Sequence, residues 1–176
     1  MDIYEKEQPK KFPVAMKYAA IAGVFSFGYS IFLMMMEKSQ DQFLGMLGMV
    51  VTAVAMFMAT REYKNDCEGY LPFKEGFKIG ALMGVISSFI SNLLNYFYVA
   101  FIDSSFIEQA VDVTVKEMES NPQITDEQLE QSIKMVEWMM GTPIPFLIAF
   151  IFASIMSCLL ALGVAGILKQ ENPEAV

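Results

Sequence analysis

The chain contains no histidine. That removes the commonest general base, the commonest transition-metal ligand and the side chain that titrates near neutrality. Nucleophile designs of the Ser/His and Cys/His kind go with it, as do most zinc sites. Cysteine is scarce too. Cys67 lies in a polar stretch and Cys158 deep in an apolar run, so the two are expected at different depths and unpaired. Charged residues make up only 18% of the 176 positions, and the net charge of −8 leaves no basic stripe to neutralise phosphates. Nucleic acid is therefore not an expected partner. No phosphate loop, dinucleotide fingerprint or metal-ligand cluster occurs, so no cofactor, metal or catalytic residues are expected.

What the chain has in place of charge is apolar surface. Hydrophobic residues reach 55% and mean hydropathy is +0.41, values typical of a membrane protein. A bilayer core of about 30 Å needs roughly 20 apolar helical residues. Four segments supply them, at about 14–36, 43–60, 79–102 and 144–168. The first has a longer apolar run than a signal peptide and lacks a clear small-residue cleavage site, so it is read as a retained anchor. The expected fold is all-α: one polytopic helical bundle spanning 1–176, with four transmembrane helices and an extracytoplasmic helical hairpin at about 103–142.

Charge sets the expected orientation. Nine of the twelve basic residues flank the chain ends or the loop between spans two and three, among them Lys10, Lys17, Arg61, Lys74 and Lys169. Only Lys38, Lys116 and Lys134 fall on the other side. The positive-inside rule then places both termini in the cytoplasm, as in a multi-pass protein of a bacterial inner (cytoplasmic) membrane. The excess of acid lies mostly between Asp103 and Glu137, on the outer side. It reads first as a solvating face and second as a cation-attracting one.

That outer insertion has helical spacing. Ile107, Val111, Thr114 or Val115, and Met118 share one face before Asn121-Pro122 breaks it. Thr125 and Gln128 form a capping box, followed by Leu129, Ile133, Val136 and Met140 on one face. Thr142-Pro143 reads as an N-cap and N1 pair opening the last span. Likewise Pro72 is expected at N1 of the third helix, ahead of Phe73, Lys74 and Glu75. The two insertion helices are expected to pack on each other first, with lipid or a partner as alternatives.

The third span carries its smallest and most polar residues in one line. Gly76, Gly80, Gly84 and Ser88 fall four apart, and Asn92 and Asn95 continue along the helix. The fourth span has a matching row of Ala149, Ala153, Ser157, Ala161 and Ala165. Small residues let helices approach closely where lipid offers no hydrophobic drive. The two rows are therefore expected to meet or to bracket a shared neighbour as a packing seam. Gly45 and Gly48 in the second span and Ala19 and Gly23 in the first are further close-approach candidates. The asparagines should face protein or water, since an amide facing lipid would go unsatisfied. They are the candidates for a polar path. No Asp, Glu, Lys or Arg sits mid-span, which weakens cation-coupled transport. The methionine clusters at Met34-Met35-Met36 and Met135, Met139, Met140 could hold Cu(I), but gap-filling packing explains them better. Tyr96, Tyr98 and Trp138 fit an interfacial aromatic belt.

The stretch FKEGFKIGALMGVISSFISNLLNYFYVAFID, the acidic insertion containing TDEQLEQSIKM and the proline-led last span together resemble a bacterial domain-of-unknown-function family of four-span integral membrane proteins. The resemblance covers most of the chain. It rests on a glycine-bearing span, a tyrosine-rich exit and the Ile102-Asp103 pair. Members often have proline after that Asp, where this chain has Ser104. The resemblance implies the four-span topology and brings no catalytic residues. The functional expectation is a non-enzymatic membrane protein embedded in the lipid bilayer. Its external hairpin would engage a membrane-protein partner or a second copy as a homo-oligomer. The alternative is a subunit of a small oligomeric transporter or channel, with Asn92 and Asn95 lining its path.

Overall fold

The computed structural model describes residues 10–39, 41–119 and 124–170. Six helices follow one another: α1 (Lys11–Met35), α2 (Gln42–Asp66), α3 (Phe73–Phe101), α4 (Ser105–Glu119), α5 (Asp126–Met140) and α6 (Ile144–Leu168). The expected all-α bundle is observed, with no strand among the described residues. Helices α1, α2, α3 and α6 are long and apolar enough to cross a membrane. Helices α4 and α5, 15 residues each, reach only about 22 Å at 1.5 Å per residue and cannot span it. The architecture is that of a four-span membrane protein with a helical insertion between the last two spans. Asn121-Pro122, expected to break that insertion, lies outside the described residues.

Helix α6 coincides with its apolar segment, whereas α1, α2 and α3 run past theirs at one end or both, because lipid sets hydropathy and hydrogen bonding sets helix length. Helix α2 continues past Thr60 to Asp66. Its extra turn and a half pairs Glu62 with Lys17 (Nζ to Oε2, 2.8 Å) and with the Tyr18 hydroxyl at 2.6 Å. The turn after it needs left-handed backbone at Glu68 (φ 57°) and Gly69 (φ 87°), and glycine adopts the second without strain. Leu71 then exchanges both backbone hydrogen bonds with Gln170, at 2.7 and 2.8 Å, tying the α2–α3 loop to the end of α6.

Two helix starts differ from the expected ones by one residue. Pro72 is the N-cap of α3, its carbonyl accepting the Gly76 N–H at 3.1 Å, so N1 is Phe73. Pro143 is the N-cap of α6, and Thr142 sits one position earlier. The Thr142 hydroxyl still accepts the Ile144 N–H, at 3.4 Å. Proline fits either position because it lacks only a donor that the first turn leaves unused. The Thr125–Gln128 capping box is present as expected, with both reciprocal bonds formed.

Helix α3 is the centre of the bundle, with α1 on one side and α6 on the other. The fully buried core lies in the half of the bundle that holds the Leu71–Gln170 bridge. There α1 supplies Ala15, Ala19 and Ala22, against Met56 and Tyr63 of α2 and Ile79 and Met83 of α3. Large side chains elsewhere point outward: Phe152 is 67% exposed and Phe25 54%. Such surface suits hydrocarbon, which is as apolar as the side chains it meets.

Candidate functional site

The two small-residue rows face each other in antiparallel register. An ideal Cβ placed on Gly76 would lie 3.3 Å from Ala165 Cβ, one on Gly80 3.0 Å from Ala161 Cβ, and one on Gly84 2.5 Å from Ser157 Cβ. Each step of four along α3 is thus met by a step of four back along α6, which is how i, i+4 rows align on antiparallel helices. Ser88 and Ser157 continue the contact, their hydroxyl oxygens 3.5 Å apart and both buried. Gly23 of α1 makes a second close approach, where a Cβ would come within 2.9 Å of Ile90 Cβ. Ala19 is fully buried. A Cβ on Gly48 would lie 3.6 Å from the Tyr29 ring, an ordinary contact, whereas one on Gly45 would meet nothing within 4 Å.

One turn beyond Ser88 the arrangement changes. In the register of the seam Asn92 would oppose Ala149, but Ala149 is exposed and the helices leave a gap. Ala153, between Ala149 and Ser157, is half-buried. Here α3 and α6 meet through edge-to-face stacking of Phe89 on Phe150 and of Tyr96 on Phe146, with ring centroids 5.8 and 5.4 Å apart. A cavity of about 250 Å³ fills the gap. Its polar lining comes from Asn92, Asn95, Ser30 and Ser39, and its apolar lining includes Leu33, Val99, Phe106 and Phe146. Among the described residues, no charged one lines it.

The amides are held from the helix backbone. Asn92 Nδ2 donates to the Ser88 carbonyl at 2.9 Å, and Asn95 Nδ2 donates to the Ser91 carbonyl at 2.8 Å. These bonds one turn back pin each side chain along α3. The Ser30 hydroxyl of α1 shares its single proton between the Phe27 carbonyl at 2.8 Å and Asn95 Oδ1 at 2.5 Å. Asn92 Oδ1 receives no hydrogen bond from any described residue. The two asparagines therefore differ: Asn95 couples α3 to α1, and Asn92 presents a free acceptor beside the cavity.

The insertion closes the same end. Only three residues separate α3 from α4, and Asp103 Oδ1 accepts the Ser105 N–H at 2.9 Å to start the new helix. Gln109 of α4 donates to the Met34 carbonyl at 2.9 Å and accepts from the Ser39 hydroxyl. It thereby grips the exit of α1 and the α1–α2 turn, with Ala110 buried beside it. Phe106 of α4 and Met140 of α5 then overhang the cavity.

The sequence model of a family described as "Protein of unknown function (DUF4199)" matches residues 17–170. The chain belongs to the DUF4199 family. No match is found among curated proteins or solved structures. The matched range takes in the DUF4199 chain's seam, cavity and insertion together.

Of the residues singled out in this DUF4199 chain from sequence, the structure joins Gly76, Gly80, Gly84 and Ser88 with Ser157 and Ala161. It sets Asn92, Asn95 and Ala149 around the cavity. Three contributors carried no sequence signal: Ser30, Ser39 and Gln109. A lone serine or glutamine near a helix end is ordinary, and only its partner across the bundle gives it a role. The two cysteines are unpaired. No group of three or more Cys, Asp or Glu side chains among the described residues could hold a metal.

Proposed function

We propose that this is a non-enzymatic protein of a bacterial inner membrane whose acidic hairpin, α4 and α5, engages a partner on the outer side. In this reading both termini lie in the cytoplasm. The observation that carries it is α5, which has an apolar face yet no fully buried residue. Ile133, Val136 and Met140 turn partly inward toward α4 and the bundle, while Met135 and Trp138 stay 65% and 67% exposed. The same helix carries Glu127, Glu137 and Glu130, the last paired with Lys134 at 2.6 Å. Between Asp103 and Thr142 the chain has nine acids and two lysines. Two such hairpins brought face to face would repel each other, so the reading favours a membrane protein with a basic outer surface over a second copy.

A photocrosslinker at Met135, introduced into the full chain in native membranes, tests this. The expected product is a discrete adduct with another protein that fades as salt is raised. Adducts only with lipid, or only at twice the chain's mass, would refute it. Orientation is checked separately with Glu119→Cys in a background where Cys67 and Cys158 are serine. An impermeant thiol reagent should label it from outside, and labelling confined to the cytoplasmic side would reverse the topology.

The Asn92–Asn95 cavity favours a second reading, a transporter or channel subunit. Its lining reaches no deeper along α3 than Asn92. A path across the bundle would require the Gly84–Ser157 contact to open.

A further inference from the structure

The cavity at the hairpin end of the bundle has the chemistry of a ligand site. Its size sets the first limit. An apolar protein cavity of about 150 Å³ accepts benzene. In proportion, the 250 Å³ here suits a body of about ten non-hydrogen atoms. A whole membrane lipid is several times too large.

Polarity sets the second limit. With no charged side chain among the described residues of the lining, an ion would lose its hydration without a counter-charge. The walls are mainly hydrocarbon and aromatic, from Leu33, Val99, Phe106 and Phe146. At one place they carry an acceptor in search of a donor, Asn92 Oδ1, beside an amide whose Nδ2 is already anchored to Ser88. A saturated acyl chain would leave that acceptor unsatisfied. A neutral molecule with one hydroxyl or N–H would satisfy it. The site also has an entrance, because Ala149 lines it and is exposed.

We propose that the space between α1, α3, α4, α5 and α6 is a binding site for a small neutral amphiphile. Its apolar body lies against Val99 and Phe146, and its hydroxyl or N–H donates to Asn92 Oδ1. Gln109 and Phe106 place α4 over the bound molecule, so occupancy also ties the hairpin to the bundle.

The test uses the full chain in lipid nanodiscs and a photoreactive eight-carbon alcohol bearing a diazirine, with adducts mapped by mass spectrometry. Labelling on Met34, Val99 or Met140 should saturate and be displaced by excess 1-octanol. Labelling on lipid-facing Phe152 should rise linearly. Octanoate should displace at least tenfold less well, for lack of a counter-charge, and octane about fivefold less well, for lack of a donor. Ala149→Phe, a change at an exposed position, should abolish the saturable component while leaving helix content and elution volume unchanged. Asn92→Leu should raise the half-saturating concentration about fivefold. Non-saturating labelling of the cavity residues would overturn the proposal. So would octane or octanoate competing as well as octanol, or unchanged saturable labelling in Ala149→Phe.

Discussion

Gly84→Ala is the sharpest probe of the bundle because two opposing effects can be weighed on it. The new Cβ would stand 2.5 Å from Ser157 Cβ and 3.1 Å from Met56 Cε. Carbon atoms in contact prefer about 3.5–4.0 Å. The methionine methyl can swing aside, but Ser157 Cβ is fixed to its backbone, so α3 and α6 must separate locally by about 1 Å or more. Overpacking of this kind costs about 1–3 kcal/mol, and a contact with no rotamer escape belongs at the upper end. Against it stands the helix preference for alanine over glycine, about 1 kcal/mol. The difference predicts a net loss of about 2 kcal/mol. Gly163→Ala is the control, since a Cβ there meets nothing within 4 Å, and it should be neutral or slightly stabilising. Reversible unfolding in mixed micelles, followed by far-UV circular dichroism, measures both. Adding Ser157→Gly to Gly84→Ala should recover at least half of the loss, because the removed Cβ makes room for the new one. If Gly84→Ala is as stable as Gly163→Ala, steric closure of the seam is refuted.

Two further changes report on other parts of the fold. Gln109→Ala removes one of two donors to the Met34 carbonyl, which keeps the Glu37 N–H at 3.0 Å. It also removes the acceptor of the Ser39 hydroxyl, so the cost should be near two net hydrogen bonds, about 2 kcal/mol, and appear as roughly thirtyfold faster amide exchange confined to α4; exchange accelerated equally in every helix would argue against a local clamp. Leu71→Ala keeps the backbone bridge to Gln170 but empties a fully buried site. It should cost about 2–5 kcal/mol, read as a lowered midpoint in the same unfolding assay, and a change under 1 kcal/mol would mean that the site collapses or is not packed.

Much of this architecture was legible before any tertiary contact was known. The four spans follow from runs of apolar residues, since transfer into hydrocarbon is summed residue by residue along the chain. The insertion helices followed from spacing and the Thr125–Gln128 box, both local. The rows on α3 and α6 followed from a period of four, and their meeting needed only that small residues mark close approach. Helix ends were less legible, as at Asp66, Pro72 and Pro143, because neighbouring positions satisfy the same backbone groups almost equally well.

The candidate site divides along the same line. That Asn92 and Asn95 should avoid lipid was fixed by the desolvation of an amide, a property of the residue alone. That Asn95 is matched by Ser30 while Asn92 keeps a free acceptor depends on how α1 is placed beside α3. That the seam closes at Gly84 and opens at Ala149 depends on how α3 and α6 are placed against each other. Composition and periodicity are properties of single segments, so the sequence by itself determined a four-span bundle with a small-residue seam. The cavity depends on the translation and tilt of segments about 60 residues apart in the chain, and only the tertiary structure decided that it exists and which side chains line it.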